Sequence, residues 1–281
     1  MPFTPGLILL ILLTSCEKIF FEPEPDNSNL SIFEQAWEFT DKEYSFFEYK
    51  NIDWDSVYDA FKPKINEDRD EEALFDVLAD MFYVLRDGHV NLSAPFNRSR
   101  NWSWFLDYPE NYDYGLLQRF YFMDREQYAG PFILMEFGDA GYIHYRSFSN
   151  PVSDENMDYV LKKFENKKTI IIDLRNNGGG SLSNVFRIAG RFTDQEVTVA
   201  RTRNKNGPGH ENFTSWRNVN ISPPGKGETW TKPVLLLTNR KCYSATNYLV
   251  TLMKPLSNVT VIGDNTGGGG GIPAYTELSN G

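Results

Sequence analysis

An α/β fold preceded by a helical subdomain follows from three observations on this chain of 281 residues. Residues 169–174 form a short apolar run of the kind buried in a parallel sheet. They lead through Arg175-Asn176-Asn177-Gly178-Gly179-Gly180 into helical spacing from Ser181, with Leu182, Val185, Phe186, Ile188 and Ala189 on one face. Residues 234–237 repeat the arrangement: an apolar run, a tight polar stretch at 238–243, then helical spacing from Ala245 with Leu249, Val250 and Leu252. Between Ser31 and Leu85, apolar and aromatic residues instead recur at helical intervals. Two strand–turn–helix units imply a sheet with helices packed on it and turns exposed at the sheet's carboxyl edge.

The chain opens MPFTPGLILLILLTSC, in which residues 7–13 are uninterruptedly apolar. That run is too short for a bilayer span of about 20 residues and fits a secretory h-region. Leu13-Thr14-Ser15-Cys16 resembles the bacterial lipoprotein box, which implies cleavage before Cys16, acylation of its thiol and a lipid-anchored place in the cell envelope. No lysine or arginine precedes Lys18, so a start further upstream is expected. Residues 1–16 are thus a signal, and residues 17–30, acidic and proline-containing, are a tether.

Residues 31–90 are the helical subdomain. Ser31-Ile32-Phe33-Glu34 has the capping-box pattern and precedes Ala36, Trp37, Tyr44 and Phe47. Asp53 heads a second helix carrying Trp54, Val57, Tyr58, Phe61 and Ile65. Asp70 heads a third, carrying Leu74, Val77, Leu78, Met81 and Leu85. The aromatic stripe suits a core better than a ligand site, and the last helix delivers Arg86-Asp87-Gly88-His89-Val90. Residues 91–130 are an aromatic-rich insertion, expected as strand and loop beside the groove. Residues 131–281 then alternate strand (132–137, 141–145) and helix (153–164) before the two units above. The glycine run 267–271 is expected as a flexible loop near the site. Residues 274–278 read as a strand and Asn280-Gly281 as a hairpin turn with no return strand behind it, so the chain reads as truncated before the fold's last element.

Chemistry centres on Ser244. A hydroxyl at a strand-to-helix turn lies exposed beside free backbone N–H groups, as a serine nucleophile requires. Spacing alone favours a plain helix cap instead, because serine is a common N-cap. Three histidines are present: His144 alternates with apolar residues and reads as a sheet residue, His210 lies in a glycine–proline loop and reads as solvated, and His89 ends a helix where its charge would meet the dipole. Cys242, two residues before Ser244, suits a buried or loop thiol better than a rival nucleophile. The net charge of −10 and the lack of a basic run argue against nucleic acid. No metal and no cofactor is called for. With Cys16 lipidated, Cys242 is the one thiol left and no intramolecular disulfide is expected.

Four segments, LRDGHVNL (85–92), IIDLRNNGGGS (171–181), CYSATNYL (242–249) and IGDNTGG (262–268), together resemble the tail-specific, or carboxy-terminal processing, serine peptidases. The resemblance runs from about Phe33 to the end of the chain. It implies a ClpP/crotonase-like core of stacked βαβ units and hydrolysis of a polypeptide substrate through an acyl-enzyme. In the serine–lysine branch a lysine follows the nucleophile; aligned on Thr266, that position is Gly269, and no lysine or arginine occurs after Lys254. The DGH motif resembles the histidine branch, which includes the tricorn core protease and interphotoreceptor retinoid-binding protein. That implies Ser244 as nucleophile and His89 as general base, with an oxyanion hole formed by the amide of Ala245 and the glycine bend, at Gly179 or Gly180. The tricorn pattern has a serine where this chain has Gly88. An acid orienting His89 is expected beyond Gly281, since Glu277 is the only acidic residue after Asp264 and nothing singles it out. The interval at 97–130 is too short for the PDZ domain many relatives carry. A non-catalytic protein that holds a peptide or apolar ligand on the same fold is the alternative, and acyl-CoA chemistry of the crotonase kind is a third, less suited to an envelope location.

Overall fold

A computed structural model describes residues 26–281; the expected signal, the Cys16 lipidation site and most of the tether lie outside the described residues. The described residues begin with four α-helices: α1 Asn29–Glu43, α2 Phe47–Lys50, α3 Trp54–Phe61 and α4 Glu71–Tyr83. Asp53 and Asp70 cap α3 and α4 through their carboxylates, as their positions imply. The cap of α1 departs from expectation. Ser28, not Ser31, accepts from the Ser31 N–H, and the helix starts at Asn29. The first N–H groups, on Asn29 and Leu30, donate to the Glu67 carboxylate, both at 2.8 Å. A side chain almost forty residues away thus takes over what a local capping box would do.

The four helices share a core of their own, built on Phe33, Ala36, Phe47, Trp54, Leu78, Met81 and Leu85. The aromatic stripe is structural. Trp37 and Trp54 stack with centroids 6.4 Å apart, and each indole N–H donates to the other's carbonyl, at 3.1 and 3.2 Å.

The insertion is the expected loop with a little strand, the bridge between Ser93 and Arg98 and a short strand at its end, but it also holds helical turns that were not expected. These are α5 Ser103–Leu106 and α6 Tyr114–Leu117, the latter running into a π-helical turn at Gln118–Phe122, before the short strand β1 Gln127–Ala129. Its aromatic residues mislead a strand reading because they anchor the turns by packing: Phe105 and Phe122 are buried.

The main layer is a six-stranded mixed sheet in the order β1-β2-β3-β4-β7-β8. Strands β2 Phe132–Phe137 and β3 Ala140–Tyr145 pair antiparallel; β4 Thr169–Asp173, β7 Val234–Thr238 and β8 Val259–Gly263 continue in parallel from β3. Helices α7 Asp154–Lys163, α8 Leu182–Ala189 and α9 Ala245–Met253 supply the crossovers. Ile170, Ile172, Val234 and Leu236 pack with Val160, Phe164, Val185, Leu249 and Leu252 in one continuous core. Strands β5 Val197–Thr202 and β6 Arg217–Ile221 form a separate ribbon. Residues 274–278 are not the strand their composition suggests. They run without a β partner, and the chain turns at the end through the Gly281 N–H to the Leu278 carbonyl (2.9 Å).

Candidate active site

Ser244 stands at the junction of β7 and α9, with φ 55° and ψ −122°. A non-glycine residue held there stores about 1–3 kcal/mol of backbone strain, a feature of sharp strand-to-helix elbows that expose a hydroxyl. The side chain does not cap α9, so the plain-cap reading fails. Main-chain bonds hold the elbow instead: the Ser244 N–H donates to the Gly268 carbonyl, the Tyr243 N–H to the Asn177 carbonyl, and the Gly267 N–H to the Cys242 carbonyl.

The glycine bend packs directly on this elbow. A Cβ on Gly179 (φ 102°) would lie 2.7 Å from the Tyr243 carbonyl oxygen and 2.8 Å from Ser244 Cβ, so only glycine permits the approach. Buried Asn177 fixes the geometry. Its Oδ1 accepts from the Gly179 N–H (3.0 Å) and the Thr246 hydroxyl (2.8 Å), while its Nδ2 donates to the Tyr145 carbonyl (2.8 Å). The Gly179 N–H is therefore engaged, which removes it from the expected set of free donors. Gly180 differs. The Gly179 carbonyl accepts from the Phe148 N–H (2.9 Å), and a planar trans peptide turns the Gly180 N–H the opposite way.

His89 arrives from the other layer, three residues after Arg86 (φ 46°) reverses the chain behind α4. Asp87 organises this turn. Its carboxylate accepts from the His89 N–H (3.0 Å), the Tyr44 hydroxyl (3.0 Å) and the Tyr243 hydroxyl (3.1 Å), and it pairs with the Lys50 ammonium (3.3 Å). Lys50 also donates to the Leu85 and Arg86 carbonyls. Tyr243, adjacent to Ser244, reaches back to accept from the Gly88 N–H (2.8 Å), and its ring meets the imidazole edge-on with centroids 5.2 Å apart. No hydrogen bond joins the imidazole to the Ser244 hydroxyl; Tyr243 is the link between them.

Burial pushes the His89 imidazole below the usual histidine value, against the opposing pull of the Asp87 charge and the Gly271 carbonyl. Burial works to raise Asp87, yet Lys50, the His89 N–H and the Tyr44 hydroxyl outweigh it and hold the carboxyl below the usual range. The ring is thus neutral near pH 7 and the carboxylate charged. A serine at position 88 has no room: a Cβ there would lie 2.9 Å from the Tyr243 hydroxyl and 3.0 Å from Phe105. The insertion closes this side. Trp102 donates to the Gly88 carbonyl (3.0 Å), and Phe105 stacks on Tyr243 with centroids 4.6 Å apart.

The other candidates fall away. His144 is buried within the sheet against the Tyr112 hydroxyl (2.9 Å), with its pKa lowered to about 4 by burial. His210 is not the free loop residue its context suggests: it bonds Asp41 (2.6 Å) and lies on Phe47. Cys242 is fully buried, donates to the Leu174 carbonyl (3.0 Å), and burial pushes its thiol up to about 12, which makes it inert. Glu277 is exposed and takes no part in the cavity beside His89. Sequence reasoning missed Asp87, Tyr243 and Asn177, although each sits inside a motif it quoted. Among the described residues no group of side chains could hold a metal ion.

Residues 139–281 match peptidase family S41, and residues 25–83 match the tricorn protease C1 domain. A solved structure of a putative peptidase from Parabacteroides merdae ATCC 43184 is 40% identical, with a TM-score of 0.86 over 91% of this chain and 81% of that one. The chain belongs to peptidase family S41. A probable CtpA-like serine protease of Staphylococcus aureus (strain COL) is 28% identical over 145 residues, which is 51% of this chain and 28% of that protein. The chain thus spans less than a third of the length of the curated relatives it matches. The photosystem II D1 C-terminal processing protease, 14% identical with a TM-score of 0.52 over 91% of this chain and 86% of that one, shares the fold alone.

Proposed function

We propose that this S41 protein is a serine endopeptidase with Ser244 as nucleophile and His89 as general base. The observation that carries the reading is the strained, uncapped Ser244 at the head of α9, with the glycine bend pressed against it. Neutral His89 takes the Ser244 proton as Oγ attacks a peptide carbonyl. The resulting oxyanion is met by the Ala245 N–H and the Gly180 N–H, and Gly179 contributes by close approach. Imidazolium then protonates the leaving amine as the C–N bond breaks, leaving an acyl-enzyme that water hydrolyses. The position aligned with a family lysine supports the histidine branch: a Cβ on Gly269 would lie 2.4 Å from the Tyr243 ring. Substrates are polypeptides, and Cys16 lipidation would hold the enzyme at the bacterial cell envelope.

A fluorophosphonate probe tests the reading. Folded full-length protein labels at Ser244, Ser244→Ala abolishes labelling, and His89→Ala nearly does. A folded sample that stays unlabelled would instead favour a non-catalytic ligand-binding role.

A further inference from the structure

Beside His89, the helical subdomain, residues 271–276 and Leu278 line a cavity of about 200 Å³. That is room for one side chain, against roughly 300–1,000 Å³ for a drug-sized ligand. Phe39, Tyr44, Phe46 and Leu92 line it from the helical side, Ile272 and Pro273 from the other. The acidic residues in its lining are Glu43 and Asp87. Asp87 is buried and paired with Lys50, whereas Glu43 is half-buried at the mouth and has no ion pair within 4.0 Å among the described residues. Lys205, in the loop joining β5 and β6, brings its charge toward both Glu43 and Asp41, but its ammonium donates to the Gly209 carbonyl (2.6 Å), and Asp41 is held by His210.

The lining contains no lysine or arginine, so nothing in it matches a free carboxylate. Residues 272–276, which form the outer wall, carry no main-chain hydrogen bond to other described residues, and Ile272 and Tyr275 are more than four-fifths exposed. The wall therefore offers an unpaired backbone edge alongside an apolar hole, the pattern by which extended peptides are bound through main-chain bonds and alternate side chains.

We infer that this cavity is a subsite for an aromatic or long aliphatic side chain of an internal peptide segment, and that Glu43 selects a lysine or arginine next to it. The inference rests on the peptidase reading for its role in catalysis, but not for binding. Ser244→Ala full-length protein separates the two. Fluorescent peptides with blocked, amidated ends and differing only at two positions would be compared by polarisation. Replacing the apolar residue by alanine weakens binding about tenfold, equivalent to about 1.4 kcal/mol. Replacing the neighbouring lysine by glutamate weakens it several-fold, and Glu43→Gln removes that second preference while keeping the first. Ala274→Trp, an exposed change on the wall, weakens all apolar peptides. Equal binding of all peptides, or a lysine preference that survives Glu43→Gln, overturns the subsite. If these preferences appear but wild-type protein cleaves none of the peptides, the subsite stands and the peptidase reading falls. If wild-type protein cleaves all of them alike, the subsite falls and the peptidase reading stands.

Discussion

The nucleophile and its base are held by opposite kinds of construction. Ser244 belongs to a continuous strand–turn–helix unit, locked by main-chain bonds and by Asn177 from the neighbouring unit. His89 hangs at the end of a helical layer, and its place depends on a charged cluster of Asp87, Lys50, Tyr44 and Tyr243 drawn from four separate segments. The first arrangement is a property of the backbone, and the second of side-chain electrostatics. Damage to the first should cost stability together with rate. Damage to the second should cost rate and alter the pH profile while the fold persists.

Removal of the reacting groups gives the largest effects. Ser244→Ala should abolish peptide hydrolysis, and His89→Ala should lower kcat/KM by about 10³-fold or more with Tm unchanged. A Tm change in His89→Ala comparable to the loss from a core substitution would blur the contrast drawn above.

Asn177→Ala should come next. It leaves the Thr246 hydroxyl and the Gly179 N–H without their buried partner, a cost of about 1–3 kcal/mol for each stranded group. Thermal unfolding should show a clear drop in Tm, and kcat should fall with it. A stable but inactive variant would place Asn177 in the chemistry rather than in the scaffold.

These two constructions differ in how far they can be read from sequence. The elbow and the glycine bend are legible because contiguous residues encode them: two apolar runs, two tight turns, two helical faces. The helical subdomain was equally plain from its periodicity, down to the Asp53 and Asp70 caps. What escaped depends on partners distant in the chain. The cap of α1 is completed by Glu67, parts of the insertion fold as helical turns around buried aromatic residues, and the short strands β5, β6 and β8 lack a pattern long enough to mark them. Asp87 and Tyr243 lie 156 positions apart, so no local pattern reveals their bond.

Smaller effects sharpen the electrostatic side. In wild type, activity requires neutral imidazole and so rises with pH through the His89 titration. Because burial depresses that titration, the acid limb should fall below the ordinary histidine value of about 6.5. Asp87→Asn removes a charge that favours imidazolium, so the limb should move to still lower pH, with kcat reduced and KM little changed. A limb that moves upward, or not at all, would show that the carboxylate does not act on the ring. Tyr243→Phe keeps the ring packing and loses the bonds to Asp87 and the Gly88 N–H. It should lower kcat about tenfold or less, an effect on the order of one hydrogen bond. The smallest change should follow His210→Gln, in the loop joining β5 and β6 and bonded to neither Ser244 nor His89, which should leave probe labelling at the wild-type rate.

A crystal structure of full-length protein inactivated by a phosphonate ester would bear most directly on the pairing of the two layers. The expected result is a phosphorus bonded to Ser244 Oγ, its oxygen accepting from the Ala245 and Gly180 amides, and the His89 imidazole turned onto the adduct with Tyr243 still bridging to Asp87. An adduct at Ser244 with the imidazole remaining on the far side of Tyr243, out of reach of the phosphonate, would contradict the assignment of His89 as base.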